Sequence, residues 1–289
     1  MKPSHRFAPY LLLAPTLILL AAFYFYPLFV AAENSLFAWD LLTPPRYVGL
    51  DNYRALFSSG ELADAVVVTL VFSVVVVVGA TACGLGLALA LDRPGRIAAL
   101  VRAAVFSAYV VSWVSVGLLW LWLLDADAGA LNHALRALGL PGPKWLADPD
   151  VAPYAIAGVT IWKIAGYSMV LFLAGLQSIA PDVLEAAALD GANRRQRFFR
   201  VTWPLLRPTA VFVITTSLIL SFQVFDVVRV MTQGGPVRST TLLVYAIYEQ
   251  VFLNLRVGRA SALVMVFFAL LLGLTLLELR AFRGREEST

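Results

Sequence analysis

Charge is scarce in this sequence. Only 14% of its 289 residues are Asp, Glu, Lys or Arg, while 60% are apolar and the mean hydropathy is +0.81. Soluble domains carry about 25% charged residues, so too few polar side chains are present to cover a water-facing surface. Disorder is excluded too, because it requires low hydrophobicity and high net charge. Lysine occurs only at Lys2, Lys144 and Lys163. These follow Met1, Pro143 and Trp162, so the Gly-Lys of a Walker A phosphate loop is missing. The two histidines, His5 and His133, cannot form an HExxH zinc site, and no G-x-S-x-G elbow occurs. The single Cys83 lies in an apolar stretch, which rules out an intrachain disulfide and leaves the redox compartment unreadable. The net charge of +4 is no sign of nucleic acid, because in a membrane protein the location of Lys and Arg matters more than their sum. A polytopic membrane protein without an ATP-hydrolysing site of its own remains.

A bilayer core needs about 20 apolar helical residues. Six segments qualify, at about 10–30, 65–91, 103–124, 151–176, 209–231 and 258–279. They must be helices, since a strand edge cannot satisfy its backbone in lipid. The N-terminus, the loops after spans two and four and the tail hold 13 basic residues, five of them between Arg194 and Arg207; the other three loops hold eight. This alternation predicts cytoplasmic termini. Val30-Ala31-Ala32 is a tolerable signal-cleavage site, but the apolar run before it exceeds a usual h-region, and removing it would break the alternation. Small residues at Ala80, Ala82, Gly84, Gly86 and Ala90 in span two predict close helix packing.

The loops carry more specific signals. In Val48–Phe57, Asp51 or Asn52 is positioned to cap a short helix with Tyr53, Leu56 and Phe57 on one face. Asp125, Asp127, Asp148 and Asp150 sit at opposite ends of their loop and read as turn caps, not as a metal site. Residues 181–208 predict a knob of two short helices. Pro181 and Asp182 open the first, Gly191 closes it, and Pro204 is expected to stop the second. A basic interfacial hairpin is the plainer reading.

This stretch resembles the EAA loop of ABC importer permeases: Glu-Ala-Ala, three residues, Gly, nine residues, Ile-x-Leu-Pro. Here it runs Glu185-Ala186-Ala187, Gly191, Val201-x-Trp203-Pro204, with Val for Ile and Trp203 for Leu. Val48–Phe57 and Met231-Thr232-Gln233-Gly234-Gly235-Pro236 followed by Ser239-Thr240-Thr241 are similar to the carbohydrate branch, especially the maltose- and glycerol-3-phosphate-type permeases. The resemblance covers nearly the whole chain. It implies an all-α, six-span type I importer permease of the bacterial inner membrane, in a complex with a second permease, two ATPase subunits and an extracytoplasmic solute-binding protein. ATP and Mg would belong to the ATPase, and this chain would bind no cofactor. Coupling would use Glu185, Ala186, Ala187, Asp190, Gly191, Ala192, Arg194 and Pro204, with Glu185 pairing with a basic residue of the ATPase.

For the solute, intramembrane ionisable groups are candidates by default. Lys163 lies mid-span four, and Asp226 at the outer end of span five. Tyr167 shares a helix face with Lys163, and Ser221 and Gln223 add hydrogen-bonding groups. Trp113 and Trp120 suit either solute stacking or lipid anchoring. In the resemblance, Ser221 and Val224 fall where the maltose-type permease has amides, and Lys163 where it has an apolar residue. This implies changed pocket chemistry and a solute other than maltose. Lys163 then either attracts an anionic sugar or pairs structurally with Asp226 or the second permease. A stand-alone transporter or channel and a membrane enzyme are the rival classes. The first leaves the 185–191 knob without a purpose, and the second lacks a cluster of His, Asp or Cys.

Overall fold

The computed structural model describes residues 8–286. These form two compact units, one of residues up to Ala63 with Ala246–Leu272, the other of Asp64–Tyr245 with the chain from Gly273.

In the first unit, helix α1 (Ala8–Leu20) runs through a π-turn at Ala21–Phe25 into α2 (Tyr26–Asn34). Leu12, Ile18, Phe23 and Phe29 are exposed along it, as an apolar helix facing lipid or another subunit requires. Two short strands follow, β1 (Phe37–Ala38) and β2 (Arg46–Tyr47), antiparallel with Ala38 opposite Arg46. Helix α3 (Asp51–Ser58) comes next. Its cap differs from the expectation: Leu50 holds the N-cap position, and neither Asp51 nor Asn52 caps. Asn52 instead turns inward, where its amide donates to the carbonyls of Ser35 (2.8 Å) and Phe37 (2.9 Å). Leu56 lies below it on the same face, while Phe57 points outward. Two buried carbonyls outweigh a cap on an exposed helix end, because an unpaired buried acceptor is the costlier loss.

In the second unit, α4 (Glu61–Leu91), α5 (Arg96–Val110), α6 (Trp113–Leu123), the loop helix α7 (Ala130–Ala137) and α8 (Ala152–Gln177) are followed by α9 (Pro181–Leu189), α10 (Arg194–Arg197), α11 (Trp203–Phe222), α12 (Asp226–Met231) and α13 (Leu243–Tyr248), except that the first three residues of α4 and the last three of α13 belong to the first unit. Helix α14 (Val257–Glu286) closes the chain and continues from the first unit. Helix α8 is the hub and the most buried span. Met169, Phe172 and Leu173 pack with Ala88, Ala210 and Val213. The small-residue face of α4 is Ala80, Gly84 and Ala88, all buried. A Cβ on Gly84 would lie 2.4 Å from Ser168 Cβ. Ala82, Gly86 and Ala90 point outward, because only residues four apart share a helix face. Asp125 accepts from the amides of Asp127 and Ala128, and Asp148 from Asp150, so these carboxylates close turns.

Five helices are long and apolar enough to cross a membrane among the described residues, and the bent pair α5–α6 makes six if it counts as one span. Span three is therefore not one rod over 103–124. Its two helices meet at 102°. Span five also differs. The chain is helical from Arg194 through a π-turn at Phe198–Thr202 to Phe222, and α12 starts after a break at Gln223. Pro204 does not stop a helix, contrary to expectation. It follows the π-turn, where the widened ladder tolerates a residue without an N–H.

Candidate functional site

The knob is set by its caps. Helix α9 starts on Ala180 with Pro181 in its first turn, where a missing N–H costs nothing. At its end, Ala192 N–H donates to Ala187 C=O and Gly191 N–H to Ala188 C=O, both at 3.1 Å. This is a Schellman pair, which needs the left-handed conformation that Gly191 adopts at φ +80°. Asn193 follows at once with a capping box: its side chain accepts from Gln196 N–H, and its own N–H donates to the Gln196 side chain. One helix ends and the next begins within three residues, so the angle between them is fixed by hydrogen bonds. Glu185, Ala186, Asp190, Gly191 and Arg194 are exposed, and Ala187 and Ala192 half-buried. Leu189 is 89% exposed and Val183 43%. Pro204 is half-buried in the following helix. Trp203, at the position where the EAA pattern has Leu, packs on the Met169–Phe172–Val213 core. The larger side chain thus fills space at the base of the knob.

The second constellation surrounds the break in span three. Helix α5 ends at Val110, which leaves its last carbonyls without intrahelical donors. Lys163 of α8 supplies them. Its Nζ donates to Ala108 and Tyr109 C=O at 3.2 Å each, and to Val111 C=O. Those bonds use all three N–H groups of an ammonium. The charge also lies at the negative end of the α5 dipole, 4.7 Å from the Trp113 ring centroid. Lys163 is 1% exposed, with its donors turned to these carbonyls and not to Asp226. A buried ammonium takes the nearest concentrated negative potential, here a frayed helix end.

Aromatic rings line the rest of the break. Tyr167 stacks on Tyr109 at 4.8 Å, and Trp120 meets Trp162 edge-on at 5.6 Å. Close approach of α8 makes this possible, since a Cβ on Gly166 would fall 2.5 Å from Val105 O. Tyr109 is the residue that sequence reasoning missed. Its only sequence signal is the β-branched Val110-Val111 followed by Ser112, a weak helix start. The remaining candidates sit at the break in span five. Ser221 is buried and its hydroxyl donates to Leu218 C=O, so it is turned into its own helix. Gln223 is exposed and Asp226 half-buried. The α12 helix packs against α6 and α8, with Val230 against Gly117. Downstream, the Gly234-Gly235-Pro236 stretch is stapled. Thr240 and Thr241 hydroxyls donate to Gly235 and Gly234 C=O, and Leu243 N–H donates to Thr69 Oγ1 at 2.9 Å.

A multi-span helical conduit with two broken spans and a rigid exposed knob defines a transport subunit. The pattern of the family "Binding-protein-dependent transport system inner membrane component" matches residues 80–281, and the chain belongs to that family. It is a permease of an ABC importer, not an enzyme. It is 32% identical over 285 residues to the sn-glycerol-3-phosphate transport system permease protein UgpA of Agrobacterium fabrum, covering 97% of this chain and 96% of that one. It is 34% identical over 283 residues to the sulfoquinovosyl glycerol transport system permease protein SmoG of the same organism, covering 97% and 92%. Among solved structures it is similar to a chain of a bacterial alginate ABC transporter in complex with an alginate pentasaccharide-bound periplasmic protein, with TM-score 0.81, 25% identity, and coverage of 93% of this chain and 91% of that one.

Proposed function

We propose that this permease works beside a second, related permease, with two ATPase subunits on the 181–208 knob, and carries an anionic sugar derivative inward by alternating access. Both termini lie on the ATPase side. The single observation that supports the coupling role is the knob itself. It is a short helix with exposed small residues, an 89% exposed Leu189 and hydrogen-bonded caps that hold its direction. Small side chains let a helix sit deep in a groove, and Leu189 then has an apolar place to go. Glu185 forms the charge pair in that groove, with Asp190 and Arg194 on the rim, where pairs contribute little.

Two relatives are named for phosphoester and sulfosugar solutes, which favours an anionic substrate. Solute contacts come from Trp113, Trp120 and Tyr167 with Tyr109 at the first break, and from Gln223 and Asp226 at the second. Lys163 and Ser221 shape these breaks without touching solute. ATP closes the ATPase pair and moves the knobs, and the two states differ in affinity for solute, as coupling requires.

The test is ATP hydrolysis by the reconstituted complex with its binding protein, against neutral and anionic sugars. Stimulation by an anionic sugar, abolished by Glu185→Lys without loss of complex assembly, is expected. Stimulation by neutral sugars alone, or an unaffected Glu185→Lys complex, would refute the solute or the coupling assignment respectively.

A further inference from the structure

A cavity in the first unit is lined by none of the residues of the knob or the two broken spans. It measures about 460 Å³ and lies between the strand pair, α3 and the start of α14, a volume within the range of small-molecule sites. Three arginines line it, Arg46, Arg256 and Arg259, together with Trp39, Thr43 and Asp40. None of the three guanidinium groups makes a hydrogen bond or ion pair with a described residue. The ion pair of Arg54 with Asp51 lies outside the cavity.

Asp40 does not neutralise them. Its Oδ1 accepts from Leu42 N–H (3.0 Å), Thr43 N–H (2.8 Å) and the Thr43 hydroxyl (2.8 Å), so that oxygen is bound into its own turn. Three arginines against one carboxylate leave the cavity positive. Its frame is stiff. Val257 N–H donates to Trp39 C=O at 2.9 Å, which clamps the residue between Arg256 and the α14 turn bearing Arg259 onto the outer loop. Gly258 lies so close to Phe37 O that any Cβ would collide. Asn52 is buried beneath, bonded to Ser35 and Phe37 C=O.

Unpaired guanidinium groups around a cavity suit the chemistry of phosphate, sulfonate or carboxylate oxygens, which arginine binds bidentately. We infer that this cavity is an anion-binding site for a small solute bearing a phosphoester or sulfonate group, separate from the two broken spans. Trp39 offers a flat apolar wall for the uncharged part of such a solute, and Thr43 lies beside it. A docked protein carboxylate would need only protruding arginines and no cavity. The site's place on the transport route rests on the importer reading above. The alternation of spans puts the loop after span one and the loop before span six on the same side.

The experiment uses the assembled permease–ATPase complex in nanodiscs, without binding protein. Binding of sn-glycerol 3-phosphate, inorganic phosphate and glycerol is measured by calorimetry for wild type, Arg46→Gln, Arg256→Gln and Arg259→Gln. The expected result is binding of both phosphates and not of glycerol, weakened about tenfold by each substitution and reduced by added salt. Equal phosphate affinity in wild type and all three variants overturns the site. Wild type that binds no anion, while an anionic sugar still stimulates ATP hydrolysis with binding protein present, overturns the site and leaves the importer reading intact. Loss of binding-protein affinity in the variants with phosphate binding unchanged assigns the arginines to docking and also overturns it. Phosphate binding lost in the variants, with only neutral sugars stimulating hydrolysis, supports the anion site and refutes the anionic solute of the previous section.

Discussion

Replacing Lys163 by methionine keeps the length of the side chain and removes its charge and its three donors. The carbonyls of Ala108, Tyr109 and Val111 then lose their partner. Hydrogen bonds to a charged donor contribute at least about 1.5 kcal/mol each, or roughly 4.5 for the three. Removing a charge from the middle of a span returns about 3 kcal/mol. The net, about 1.5 kcal/mol, is a tenfold shift in an equilibrium. Its direction follows from the freed carbonyls. They are best satisfied by amides further along span three, which requires the helix to straighten. A straight helix would separate Leu100 from Leu119 by roughly 28 Å at 1.5 Å per residue, and a bend of 102° at residues 110–113 shortens that to roughly 18 Å. Spin labels at these exposed positions, in a Cys83→Ser background, distinguish the two by pulsed dipolar spectroscopy. Lys163→Met is expected to gain a population near the longer distance and to lose solute-stimulated ATP hydrolysis, with Lys163→Arg keeping most of both. An unchanged distance distribution in Lys163→Met would show that something other than the ammonium holds the bend.

Three further outcomes are expected. Gly191→Ala places a side chain at φ +80°, costing about 1–2 kcal/mol. Nothing lies within 4 Å of that Cβ, so the protein accumulates normally but couples poorly, read as solute-independent ATP hydrolysis. Gly166→Val drives a methyl into the Val105 carbonyl, an overpacking worth about 1–3 kcal/mol. Thermal unfolding in detergent at lower temperature than wild type checks this. The Asp40 carboxyl is held below its ordinary pKa by the Thr43 amide and hydroxyl and the Leu42 amide, against a small opposing effect of burial. Because the folded value is the lower one, its contribution to loop order is complete above an ordinary carboxylate pKa near 4. That contribution is lost as pH falls through the folded value. Faster hydrogen exchange at residues 41–43 on acidification, absent in Asp40→Asn, is the observation that checks it.

The parts of the fold written in local chemistry were legible in the sequence. The apolar runs locate the spans, and Pro181 and Gly191 locate both ends of the knob's first helix, because caps are made by residues within a few positions of one another. The break in span three was not legible. Residues 103–124 hold no charge and no Pro or Gly near Val110-Val111-Ser112, and the bend is held by a lysine more than 50 residues away. The same holds for Tyr109, whose partner is Tyr167, and for Pro204, whose tolerance depends on a π-turn that no residue preference announces. Lys163 was recognised as a costly intramembrane charge, but its carbonyl partners at the end of α5 were not foreseen. A sequence records that a charge is buried and does not say which helix end will face it.

The unbroken run from Arg194 to Phe222 has a mechanical consequence. At 1.5 Å per residue it is a rod of roughly 40 Å, with the cap beside α9 at one end and the break at Gln223 at the other. Its weak points in bending are the π-turn near the knob and Pro208 midway along it. A rotation of about 5° at the basic end sweeps the far tip through roughly 3.5 Å, about the thickness of an aromatic ring. The α12 segment is joined to that tip by three residues. The reach of a rotation applied at the knob is therefore set by lever length as much as by its angle. A helical turn inserted or deleted within α11 would change its reach by about 5 Å while leaving both ends chemically intact.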